Sequence, residues 1–283
     1  MKRRLPIGIQ DFVSIRKDGF CYVDKTARIH QLISGSGGAF FLSRPRRFGK
    51  SLLCSTLGAI FEGRRELFRG LAIEKRDWDW KPAPVIHIDL NPGNYSNGIA
   101  ELYANLNRNL DLCAQKYGVS FSGETVSDRF ARLIYALKDR LGEPVAVIID
   151  EYDKPLLSTI ENSELHIAMR NELKGFYGVL KSSDAHLKFV FLTGVTKFSH
   201  VSVFSDLNHL VDLTLDSRYA DICGITQEEL EVNFEPEIED ILQDAGKARE
   251  AYFEELRRFY NGYRFSKKNL KIYNPFWLTQ TFQ

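Results

Sequence analysis

Apolar positions along the chain follow two rhythms. Short, nearly continuous runs occupy residues 39–43, 84–90, 145–150 and 188–193, and a last strand is read over 211–216. Runs of this length, rich in Val, Ile and Phe, predict strands covered on both faces, as in a parallel sheet. Between them the apolar spacing is helical. Ile99, Leu102, Tyr103, Leu106, Leu110 and Cys113 share one face, and Phe130, Leu133, Ile134, Leu137 and Leu141 share another. A further helix is predicted from about Ser163 to Lys181. Another precedes the first strand, with Asp24 as its cap, Leu32-Ile33 near its end and Gly35-Ser36-Gly37-Gly38 as its stop. Residues 5–12 read as an extended lead-in with a turn, and 63–80 as an irregular excursion.

Past residue 220 the strand rhythm ceases. Thr226-Gln227-Glu228-Glu229 has the form of a capping box. Amphipathic helices follow over Glu235–Gln243 and Ala248–Tyr260, and Pro275 opens one at Phe276-Trp277-Leu278. The expected organisation is a core over 1–220 and a small helical lid over 221–283. Apolar Phe276, Trp277, Leu278 and Phe282 are still emerging where the chain stops, so a continuation past Gln283 is expected.

Candidate chemistry sits at the ends of two strands. The first runs into Ser43-Arg44-Pro45-Arg46-Arg47-Phe48-Gly49-Lys50-Ser51-Leu52, a strand, a basic loop and a new helix. That context suits a phosphate-binding loop, where backbone N–H groups converge on phosphate oxygens. Arg46, Arg47, Phe48, Gly49, Lys50, Ser51 and Leu52 are the candidate nucleotide-binding residues. Lys50 would reach the β- and γ-phosphates of ATP, and the Ser51 hydroxyl would ligate Mg2+. Arg44 stands where the pattern G-x-x-x-x-G-K-[ST] has its first glycine, so an ordinary basic turn reads these residues equally well. The third run weighs against that. It ends in Asp150-Glu151, two carboxylates at the edge of a parallel sheet where ligands bind. Asp150 would hold Mg2+ through water and Glu151 would take the proton of the attacking water. The strand count between the two motifs is that of the additional-strand P-loop ATPase class, an α/β three-layer sandwich. There a sensor strand lies between them in space, which makes Thr193 the sensor and Thr196 the second choice. Ile9 and Phe12 are candidates to cover the adenine, although core packing suits them better.

Composition adds bounds. Residues 1–51 carry eleven basic and three acidic side chains within a chain of net charge +1. The near-neutral net charge argues against a dedicated nucleic-acid surface, while the basic start suits a polyanionic ligand such as a triphosphate. Cys21, Cys54, Cys113 and Cys223 are scattered without metal or disulfide spacing, as expected of reduced thiols in a cytoplasmic protein. No apolar run reaches membrane-spanning length.

The chain resembles the predicted AAA-ATPase-like family of bacterial proteins. Pro6-Ile7-Gly8-Ile9-Gln10-Asp11-Phe12, Tyr22-Val23-Asp24-Lys25-Thr26, the Arg44 to Ser51 loop and Ile149-Asp150-Glu151-Tyr152-Asp153-Lys154-Pro155 carry the likeness. So do Thr193-Gly194-Val195-Thr196-Lys197-Phe198-Ser199, Tyr260-Asn261-Gly262-Tyr263-Arg264-Phe265 and Tyr273-Asn274-Pro275-Phe276. Arg44 in the loop is also what that family shows. The resemblance implies Mg2+-dependent ATP binding and hydrolysis, with ADP as product. It further implies a PD-(D/E)XK nuclease-like domain, and through it DNA, beyond Gln283. Glu172-Leu173-Lys174 matches the letters of such a nuclease motif but lies on a predicted helix. A nucleotide-binding switch with negligible turnover is the alternative. A small-molecule kinase lacks a marked acceptor site, and GTP preference lacks its Asn-Lys-x-Asp pattern. Arg218 and Arg264 are candidates to complete the site.

Overall fold

The computed structural model describes residues 4–35, 38–197, 204 and 210–282. Among the motif residues above, Ser36, Gly37, Phe198 and Ser199 lie outside that set. Strands β1 (Ala39–Ser43), β2 (Val85–Asp89), β3 (Val145–Asp150), β4 (Leu187–Gly194) and β5 (Leu210–Asp212) form one parallel sheet in the order β2-β3-β4-β1-β5. The strand ending in Thr193 thus lies between the loop-bearing β1 and the Asp-Glu strand β3, as expected. Register aligns their ends: Ser43 is beside Gly194, Ile149 beside Leu192, and Asp150 beside Asp89.

Each sheet face is covered by helices, which makes three layers. Alternation along the strands sends Val145, Val147 and Ile149 to one face and Ala146 and Ile148 to the other. The first face packs against α4 (Ile99–Tyr117), α5 (Val126–Leu141) and, after the short α6 (Lys154–Ser158), α7 (Ser163–Ser182), with Leu106, Phe130 and Leu173 fully or almost fully buried. The opposite face packs against α3 (Lys50–Phe61) and α2 (Thr26–Ile33) through Cys54, Leu57, Ile29 and Leu32. Glu172 and Lys174 lie within α7, a helix as expected.

Beyond the sheet, Thr226 and Glu229 cap Gln227–Asn233 reciprocally, as their spacing predicts. This helix, Glu235–Ala245, Arg249–Tyr260 and Pro275–Gln280 gather a separate cluster around Leu230, Phe234, Ile238, Leu256 and Leu278. Leu5, Cys21 and Val23 from the start of the chain pack onto it. Phe282 stacks on Phe234 at 5.2 Å, so these late apolar residues have partners within the described chain. No disulfide joins the four cysteines. Among the described residues no helix is long and apolar enough to cross a membrane.

Several local expectations need correction. Residues 5–11 are extended with a turn at Ile7-Gly8, as expected, but a helix not foreseen follows at once, α1 (Phe12–Lys17), capped by Asp11, whose carboxylate accepts the Ser14 N–H at 2.8 Å. Phe12 and Ile15 bury together at helical spacing, a pattern too short to read from sequence. The last strand stops at Asp212 rather than Asp216. Asp212 accepts the Thr214 N–H at 2.8 Å, a side-chain turn that ends pairing after Leu213 and leaves Leu215 exposed. Asp24 precedes α2 by two residues and bridges Thr26 N and Ala72 N rather than sitting at the cap itself. Leu141, at the end of α5, is exposed.

Candidate functional site

The loop after β1 turns sharply because two residues adopt left-handed backbone: Arg47 at φ 65° and Gly49 at φ 91°. Gly49 suits that conformation without a steric penalty. Helix α3 then begins at Lys50, so the N–H groups of its first turn point back over the loop without intrahelical acceptors. Lys50 is 3 % exposed; its Nζ donates to the Pro45 carbonyl at 3.3 Å and lies 3.1 Å from Glu151 Oε1. Two distant stretches therefore meet, as their strand-end positions predicted.

Asp150 ends β3, 3 % exposed, and its Oδ1 accepts the Glu151 N–H at 2.9 Å. Burial raises the Asp150 pKa to about 6, and the charges of Glu151 and Asp89 push the same way against the Ser51 hydroxyl and Lys50. Glu151 is held at φ 53°, a conformation that a side chain seldom adopts. Such strain collects where a side chain must be aimed.

Lys50, Ser51 and Glu151 line a cavity of about 260 Å3, which the buried Asp150 does not reach. Its floor is Phe48 to Leu53, and Glu151 stands at one side. Pro6, Gly8, Ile9 and Gln10 also line it, as do Gly224, Ile225, Phe234, Phe276 and Thr279. Ile9 lines this space; Phe12 does not, being buried against Tyr22 and Phe68. The sequence proposed both for one place, and the structure separates them. Lys25 also lines the cavity and pairs with Glu229 at 2.6 Å, which ties the early Tyr-Val-Asp-Lys-Thr stretch to the helical portion.

The arginines divide sharply. Arg44 is 1 % exposed and does not face the cavity. Its guanidinium donates to the carbonyls of Ser43, Thr214 and Tyr219 at 2.9–3.1 Å and lies 4.0 Å from the Phe265 ring centroid. Burial pulls its pKa down to about 10. Arg44 is thus a brace under the loop rather than a degenerate glycine. Phe48 is braced likewise by Tyr263 and Phe265, at 4.7 and 5.2 Å. Arg47 lines the cavity and sits 4.0 Å over Phe276; Arg46 is exposed and does not line it. Arg218 pairs with Asp216, and Arg264 donates to the carbonyls of Ser266 and Lys267; neither lines the cavity.

Thr193 is fully buried, and its hydroxyl donates across the sheet to Leu42 O at 2.8 Å. Thr196 Oγ1 donates instead to Asp153 at 2.7 Å. Both candidate sensor hydroxyls are therefore engaged with the protein. Sequence reasoning passed over Asp153, although a second acid three residues past Asp150, before Lys-Pro, was the available signal.

Among the described residues, no group of three or more His, Cys, Asp and Glu is placed to hold a metal by itself. Ser51 carries a hydroxyl and Asp150 a carboxylate, oxygen donors of the kind that fit Mg2+, an ion that completes its shell with phosphate and water.

A family model described as Predicted AAA-ATPase matches residues 6–204. The chain is 41% identical over 284 residues to a protein of Azotobacter chroococcum mcd 1 described as "Uncharacterized protein in vnfD 5'region". The match covers 100% of this chain and 52% of that protein, so the chain spans about half the length of the curated relative.

Proposed function

The chain belongs to the AAA-ATPase-like family, and on that premise we propose that it binds Mg2+-ATP in the cleft above α3 and hydrolyses it to ADP and phosphate. The observation that carries this reading is that Lys50 and Ser51, from one stretch, and Glu151, from a distant one, line the same cavity, with Glu151 3.1 Å from Lys50 and the buried Asp150 next to it in the chain. Lys50 binds the terminal phosphates, and the free N–H groups of the loop and first helical turn orient them. Ser51 and Asp150 hold Mg2+, which when bound neutralises charge on the phosphate oxygens. Glu151 orients a water and accepts its proton as the water oxygen attacks the γ-phosphorus. Ile9 and the wall around Phe234 and Phe276 enclose the base end of the nucleotide. The strand order supports the additional-strand class, and the helical portion from residue 221 acts as the lid. Thr193 holds β4 to β1 and reports the γ-phosphate through that strand's end rather than by its own hydroxyl.

In longer family members the cycle would power or gate an appended domain, which the resemblance makes nuclease-like and DNA-directed. The alternative is a nucleotide switch with negligible turnover. The Lys50–Glu151 pair favours it, because the base is neutralised until a ligand takes the lysine. Phosphate release from ATP with Mg2+, and with chelator added, tests the proposal. Metal-dependent release is expected. Tight Mg2+-ATP binding without release, with and without DNA, would establish the switch instead.

A further inference from the structure

Asp153 is fully buried and does not line the cavity. Its Oδ2 accepts from Thr196 N and Thr196 Oγ1 at 2.7 Å and from Val195 N at 3.1 Å; Oδ1 also accepts from Val195 N at 3.2 Å. All these donors belong to the two residues that follow β4. One carboxyl group thus meets the Val195 N–H and both donors of Thr196. Neighbouring bonds run in parallel. Tyr152 N donates to Thr193 O at 3.0 Å, and Tyr152 Oη donates to Thr196 O at 2.9 Å. Tyr177 Oη closes the set on Tyr152 O at 3.1 Å. Gly194 makes the approach sterically possible: a Cβ there would overlap Asp153 Oδ1 and the Tyr152 ring.

This clasp adjoins a residue of the site that is held in left-handed backbone. Glu151 sits at φ 53°, with its own N–H on Asp150 Oδ1 and the next two residues fastened to the end of β4. A non-glycine residue holds that conformation only when its surroundings over-determine it. We infer that Asp153 is the positioning residue of Glu151, clamping the 151–153 turn to the end of β4 so that the Glu151 carboxylate is aimed into the cleft. This rests on Glu151 being the base of the proposed hydrolysis.

The test compares wild type, Asp153→Asn and Thr196→Val. Three quantities are read: Mg2+-ATP turnover, affinity for a fluorescent ADP analogue, and amide exchange at residues 193–197. In Asp153→Asn an amide NH2 meets N–H and O–H donors, so the clasp loosens. Turnover is expected to fall about 10²-fold, the scale of a 1 Å misplacement. ADP affinity is expected to stay within about threefold, since uniform binding is untouched. Exchange at Val195 and Thr196 should quicken. Thr196→Val keeps the backbone donors and should show a smaller fall in turnover, which preserves the test if Asp153→Asn folds poorly. Wild-type turnover in both variants would overturn the inference. So would a parallel loss of ADP affinity and turnover, which marks a general prop. Should wild type bind ATP without hydrolysing it, the hydrolysis reading fails separately, and unchanged exchange in Asp153→Asn overturns the clamp.

Discussion

Lys50 Nζ lies 3.1 Å from Glu151 Oε1, with the two side chains 3% and 17% exposed. The candidate phosphate-binding cation and the candidate base therefore hold each other. A pair this buried is expensive to break from one side, because the survivor is left as an uncompensated charge.

Lys50→Ala is accordingly expected to act twice. Nucleotide affinity falls because a phosphate-facing charge is gone. Stability also falls, by up to about 3 kcal/mol, because Glu151 stays buried without its partner. Titration with a fluorescent ATP analogue and thermal unfolding check the two effects. Unchanged affinity would reduce Gly49-Lys50-Ser51 to a turn.

Arg44→Gly restores the residue that the phosphate-loop pattern expects, and it is predicted to harm the protein. Three carbonyls lose their donor at a buried position, and the Phe265 ring loses its cation. Hydrogen bonds to a charged group contribute about 1.5–3 kcal/mol each, with incomplete additivity. A loss of roughly 3 kcal/mol is expected, or about 6–12 °C in Tm for a chain of this size. Nucleotide affinity should not rise. Equal or higher Tm in the variant would contradict the bracing role.

Asp150→Asn is expected to stabilise the ligand-free protein near neutral pH. The folded pKa of Asp150, about 6, lies above its ordinary value of 3.8. The stability it confers is therefore full below pH 3.8 and is lost as pH rises through 6. Above that pH the buried charge costs on the order of 2–3 kcal/mol, which asparagine avoids. The Tm gap between variant and wild type should widen from pH 4 to 6.5 and then level. Mg2+-dependent ATP binding should weaken in the same variant. A gap that does not change with pH would remove Asp150 as its source.

Arg47 lies 4.0 Å from the Phe276 centroid and 5.7 Å from that of Trp277. If phosphate draws the guanidinium inward, Trp277 loses a neighbouring cation and its emission changes. Nucleotide titration should alter tryptophan fluorescence in wild type, and the change should vanish in Arg47→Ala and in Trp277→Phe. A full signal in Arg47→Ala would mean that Arg47 keeps its place on the ring.

Much of this was legible in the chain. Continuous apolar runs gave the strands because both faces of the sheet are covered, and their acidic and Gly-Lys-Ser ends located the site. What was not legible depends on contacts across long separations. Arg44 looked like a fault in a loop because its acceptors, at Ser43, Thr214 and Tyr219, carry no side-chain signal. A hydroxyl at a strand end likewise does not reveal that Thr193 bonds Leu42 O on the neighbouring strand. Ile9 and Phe12 were inseparable until α1 sent one to the cleft and the other to the core.

The central claim is that Glu151 serves hydrolysis and Lys50 serves binding, within one cleft. Its most direct test measures Mg2+-ATP affinity and phosphate release on the same preparations of wild type and Glu151→Gln. The glutamine keeps the shape of the side chain, frees Lys50 from an ionic partner and removes the base. Affinity should hold or rise, while release should fall by ~10²–10⁴-fold. Release at the wild-type rate from Glu151→Gln would contradict the account.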